Sequence, residues 1–179
     1  CEEDLSAVGR VVVVGGGNTA LDAVRELKGL GVDDVTLAYR GDEAKMSGYQ
    51  HEWAEAKKEG ITASWRSQPI GFTEDGVNVT GVLCQRMDEN KKPIDGDTFE
   101  LPADLVLIAI GQGKLGDLMA DLPDVKVDWG KIVTDEYGAT GQAGVYAGGD
   151  CRNGGKEVVN AAAEGKAAAN AIHDYLMGA

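Results

Sequence analysis

Three glycines stand together at Gly15–Gly17, directly behind the apolar run Val11–Val14, and Asn18, Thr19 and Ala20 follow. Gly15-x-Gly17-x-x-Ala20 between a strand and a helix has the spacing of a dinucleotide-binding turn. The first glycine permits the tight turn, and the second lets backbone approach a diphosphate. The small third residue lets the helix pack on its strand. Unpaired N–H groups at the start of that helix, in the positive end of its dipole, then hold the diphosphate. Gly15, Gly17, Asn18, Thr19 and Ala20 are therefore the first candidate binding residues.

The end of the next strand reads the sugar. An acidic side chain there suits a free ribose, whereas Arg suits a 2′-phosphate, which its planar fork meets in two hydrogen bonds. Tyr39-Arg40 stands at this place and Lys45 follows, so Arg40 and Lys45 favour NADP(H). Asp42 and Glu43 lie close enough to keep NAD(H) as the alternative. Gly111 and Gln112 come after the apolar run Leu105–Ile110 and are expected at the carboxyl edge of the sheet, near the nicotinamide.

The elements that carry these residues can be read from periodicity. Val11–Val14 reads as a strand buried on both faces. Ala20, Leu21, Val24, Leu27 and Leu30 give helical spacing over Asn18–Leu30, stopped by Gly29 and Gly31. Val35–Tyr39 reads as a strand, Gln50–Glu59 as a helix and Ile61–Trp65 as a strand. That order implies right-handed crossovers and an α/β, Rossmann-like, three-layer nucleotide-binding domain. Gly71-Phe72, Val77–Gln85 and Thr98–Leu101 suggest an antiparallel β-meander, and Leu105–Ile110 returns to the parallel sheet. Short strands are expected at Val125–Val127 and Ile132–Val133, a buried one at Val145–Ala147, and a long helix over Glu157–Leu176. Trp53, Trp65 and Trp129 are expected in core or interface, His51 and His173 on helix surfaces, and Asp22 paired with Arg25.

Composition narrows the class. The 179 residues, 43 % hydrophobic and 26 % charged, suit a globular protein with a real core. A net charge of −13 argues against nucleic acid, whose phosphates it would repel. No run approaches the roughly 18 apolar residues of a membrane helix. Cys1, Cys84 and Cys151 form no CxxC, so neither a metal site nor a disulfide framework is indicated and a cytoplasmic setting is expected. The chain opens at Cys1, almost on a strand, and reads as a piece of a larger protein.

GGGNTALDAVR, YRGDEAKM, LIAIGQ and GVYAGGD…VVNAAAEGKAAANAI together resemble the flavoprotein reductases with two dinucleotide domains. The likeness is nearest the glutamate synthase small-subunit type and the related N-terminal region of dihydropyrimidine dehydrogenase. The resemblance implies that residues 1–110 form the inserted NAD(P)H domain and residues 111–179 the returning C-terminal segment of an FAD domain. It also implies that Gly149 and Asp150 lie near the FAD ribityl or pyrophosphate, with Val158 and Val159 near the flavin. The activity implied is hydride passage from NADPH to FAD and on to an iron–sulfur partner domain or subunit. Cofactors carry that chemistry, so no catalytic residue and no metal ligand is assigned. The rest of the FAD half is expected outside this chain, which would be inactive alone, and its apolar faces can drive dimerisation. Two features depart from the pattern: Gly41 where a second Arg is common, and Ser47 after Met46 where proline is common. A thioredoxin-reductase-like piece and a non-catalytic nucleotide-binding module are the alternatives.

Overall fold

The computed structural model describes residues 5, 7–111, 119 and 121–178. The chain divides into two compact units, Cys1–Gly111 and Gln112–Ala179.

In the first unit, β1 (Arg10–Val14) leads into α1 (Asn18–Gly29) and β2 (Asp34–Tyr39), then α2 (Gln50–Lys58) and β3 (Thr62–Trp65). A meander of β4 (Ser67–Glu74), β5 (Val79–Met87) and β6 (Pro93–Pro102) follows, and β7 (Leu105–Ile108) closes the unit. The parallel sheet has the order β3-β2-β1-β7. The chain builds outward from β1 on one side and returns to its other side through β7, so β1 and β7 flank the point where strand order reverses.

The all-valine strand explains the three layers. Side chains alternate across a strand, so Val11 and Val13 point into one core with Leu21, Val24, Leu27, Leu37, Trp53 and Ile61. Val12 and Val14 point into the other, with Ala38, Val82, Cys84 and Ala103. Helices cover the first face and the antiparallel sheet β4-β5-β6 covers the second. The Trp53 and Trp65 rings pack edge to face at 5.4 Å, with Trp53 2 % exposed.

Three expectations change here. The meander strands are longer than their apolar signals, because β6 is mostly exposed and carries polar residues through its ladder. The last parallel strand ends at Ile108 rather than Ile110, and Ile110 is 73 % exposed. Arg25 pairs with Glu59 at 2.7 Å rather than with Asp22, because Glu59, at the end of α2, offers both carboxylate oxygens to its fork.

The second unit holds β8 (Val127–Asp128), β9 (Lys131–Ile132), α3 (Asp150–Asn153) and α4 (Val158–Met177). Val145–Ala147, expected as a buried strand, is half-buried and, among the described residues, pairs through one bridge, Tyr146 to Ala139. Trp129 is 86 % exposed in the β8–β9 turn, where its φ of +50° belongs to the turn and not to a core position.

Candidate functional site

A cavity of about 500 Å³ opens at the carboxyl ends of β1, β2 and β7. Gly15, Gly16, Gly17 and Thr19 form its floor, and Tyr39 and Arg40 one side. Ser67, Gln68 and Pro69 of β4 form another, and Ala109, Ile110 and Gly111 complete it. This is where open α/β sheets bind ligands.

The glycine turn is fixed by contact. Gly15 has φ +150°, and a Cβ there would collide with the Ala109 carbonyl and lie 3.2 Å from the Ala20 methyl. A Cβ on Gly16 would meet the Tyr39 ring at 2.5 Å. A Cβ on Gly17 would meet nothing closer than Ser47 Oγ at 3.8 Å, so that side of the turn is open to a ligand. Gly17 is also the N-cap of α1, and no side chain caps that helix. Ala20 and Leu21 donate back to the Gly17 carbonyl at 3.0 and 3.2 Å. The N–H groups of Gly17, Asn18 and Thr19 have no acceptor among the described residues. Three donors at the positive end of a 12-residue helix suit a diphosphate.

The loop after β2 holds this turn in place. The Gly16 carbonyl accepts from the Gly48 N–H at 2.8 Å and from the Ser47 hydroxyl at 3.2 Å. Asn18 Oδ1 accepts from the Tyr49 N–H at 3.0 Å. Asn18 thus has a positioning contact, with its side chain turned to the loop and its N–H left for a ligand. Ser47, read from sequence only as a loop difference, is part of the support.

Electrostatics at the end of β2 separate the candidates. Arg40 is exposed, lines the cavity and has no ion pair among the described residues. Asp42 is bound by the Arg66 guanidinium, which holds its carboxyl below the usual range. Glu43 pairs with Lys57 at 2.8 Å. Both acids that favoured a free ribose are therefore engaged elsewhere. The Lys45 ammonium donates to the Glu89 carbonyl at 2.6 Å and does not line the cavity. Gln112 lies outside the described residues.

In the second unit, Gly149 is buried with φ +72° and donates its N–H to the Glu164 carboxylate at 2.6 Å. Asn153 Nδ2 donates to the same carboxylate at 3.2 Å. These bonds, the backbone one first, hold Glu164 below its usual range. Asp150 is exposed, and Val158 and Val159 are 85 % and 67 % exposed at the start of α4. Among the described residues no group of three or more His, Cys, Asp or Glu is placed to hold a metal ion. None of their helices is long and apolar enough to cross a membrane.

Sequence reading missed Tyr39, Ser47 and the β4 wall of Ser67, Gln68 and Pro69. Tyr39 stood beside Arg40 and could have been taken from that position, but the wall comes from the chain folding back and has no local signal.

Residues 2–165 match the family model of the pyridine nucleotide-disulphide oxidoreductases. The chain belongs to that family. It is 39 % identical to a putative glutamate synthase [NADPH] small chain of Cereibacter sphaeroides, across 98 % of this chain and 45 % of the relative. It is 40 % identical to the glutamate synthase [NADPH] small chain of Azospirillum brasilense, across 96 % of this chain and 38 % of that one. The chain thus spans less than half the length of these relatives. Among solved structures, thioredoxin reductase of T. acidophilum superposes with a TM-score of 0.79 at 29 % identity, covering 94 % of this chain and 52 % of that one. The resemblance carried by the motifs and the Rossmann-like fold are both borne out.

Proposed function

We propose that the chain is the NADPH-binding part of a flavin-dependent oxidoreductase of the glutamate synthase small-chain type. In that reading residues 1–110 hold NADPH and residues 111–179 return to an FAD domain, which the division of the chain at Gly111 supports. The observation that carries it is the start of α1, whose first three N–H groups have no acceptor among the described residues, in a cavity whose one described lining charge is Arg40. Gly15 and Ala20 let the turn pass close to Ala109, and Gly17, Asn18 and Thr19 give the diphosphate its donors. Arg40 faces the 2′-phosphate, Lys45 braces the loop beside it, and Gly111 lies toward the nicotinamide. The names of the relatives, which include NADPH, support the same choice.

The FAD assignment rests on fit as well. The exposed Asp150 carboxylate is open to a sugar hydroxyl. The N–H groups of Val158 and Val159 at the start of the 20-residue α4 have no acceptor among the described residues. Gly149 contributes differently, because its N–H is taken by Glu164 and its positive φ shapes the turn. NADPH held at Gly17, Asn18, Thr19 and Arg40 would supply hydride chemistry, FAD near Asp150, Val158 and Val159 would supply the electron acceptor, and an iron–sulfur partner domain or subunit would be the onward acceptor. Relatives named glutamate synthase small chain across nearly the whole chain favour this reading over the thioredoxin reductase one.

Thermal melting with and without NADPH tests the proposal. Ligand at 100 times its Kd adds about 2.7 kcal/mol, so the chain should melt several degrees higher with NADPH. No shift with NADPH would refute the binding assignment.

A further inference from the structure

A 2′-phosphate carries a charge of about −1.5 to −2 and three acceptor oxygens, and one guanidinium does not satisfy it. The position after Arg40 is Gly41, which offers no side chain. A Cβ built there would lie 2.9 Å from the Tyr39 ring and 3.0 Å from Lys91 Cε. The space where a second cation at the end of β2 would begin is thus taken by the stem of a lysine from the β5–β6 turn. The Lys91 ammonium lies 5.6 Å from the centroid of Tyr39, whose ring lines the cavity beside Arg40.

The turn is built to hold this lysine. The Asp88 carboxylate accepts from the Asn90 and Lys92 N–H groups at 2.8 Å each. The Asp88 carbonyl accepts from the Lys91 N–H at 3.0 Å. Lys91 thereby adopts φ +62°, a left-handed conformation that a residue with a Cβ seldom takes. Lys45 fastens the turn to the loop after β2 through the Glu89 carbonyl. Arg66, the other cation nearby, is held by Asp42. The Lys91 charge also helps keep the Asp42 carboxyl low, after the larger effects of Arg66 and Lys45.

We propose that Lys91 is a specificity-determining residue that supplies the second cation for a nucleotide 2′-phosphate, acting with Arg40. The proposal rests on the NADPH assignment above. Its test is calorimetric titration of the whole chain with NADPH and with NADH, for the unaltered protein and for Lys91→Gly and Lys91→Arg. Glycine accepts φ +62° without strain, so Lys91→Gly keeps the turn. Losing a charge-assisted hydrogen bond should raise the NADPH Kd about tenfold. The NADH Kd should stay constant, and Lys91→Arg should restore the preference. An unchanged NADPH Kd in Lys91→Gly, or equal weakening of both nucleotides, overturns the role of Lys91 and leaves the NADPH assignment standing. If the unaltered chain binds neither nucleotide, the assignment itself fails and Lys91 falls with it.

Discussion

Arg40→Glu reverses the charge where the 2′-phosphate is read, so it should weaken NADPH by about a hundredfold, the equivalent of about 3 kcal/mol from two lost charge-assisted bonds. NADH should bind as before, since Asp42 and Glu43 are already paired and the diphosphate turn is untouched. Competitive titration of the two nucleotides checks this. At Ser47 the expected effect is small. Ser47→Ala removes one of two donors to the Gly16 carbonyl and leaves the Gly48 N–H at 2.8 Å, so melting should register a cost of about 1 kcal/mol. Most of this residue-level design was legible in the sequence, because glycine spacing and the Arg at the strand end are local patterns. Ser47, Lys91 and the β4 wall were not, because each acts on a residue far from it along the chain.

At the scale of elements, stability is set by what the alternating valines of β1 join. Trp53 sits in the helix-side core at 2 % exposure, so Trp53→Ala should cost about 3–5 kcal/mol in denaturant unfolding. Its indole N–H is buried without an acceptor among the described residues. Trp53→Phe therefore sacrifices no hydrogen bond and should cost much less. Cys84 belongs to the opposite core, and burial pushes its thiol up to about 11. It should resist a thiol reagent at pH 8 until the protein unfolds, which mass spectrometry of labelled peptides will show. The parallel strands and both helices of the first unit were legible because their apolar periods are strong. β6 was underestimated because an exposed antiparallel strand needs only backbone pairing and leaves a weak hydrophobic signal. The second unit was harder to read, since Val145–Ala147 is apolar enough for a strand yet, among the described residues, pairs through a single bridge.

For the whole molecule, acid is the clearest lever. Asp104 accepts from Arg10, Asp42 from Arg66 and Glu59 from Arg25, and Glu164 from the Gly149 N–H, and each carboxyl is held below its ordinary value. A lowered folded-state value means stability that is present above the unfolded value, near pH 4, and lost as pH falls through the folded one. The melting temperature should hold from pH 7 to about pH 5 and fall progressively below about pH 4. A melting temperature constant down to pH 3 would contradict that linkage. The direct test of the central claim is a crystal structure of the chain soaked with NADPH. Density for the diphosphate should lie on the N–H groups of Gly17, Asn18 and Thr19, with the 2′-phosphate against Arg40. Density for the nucleotide at any other part of the surface would contradict it.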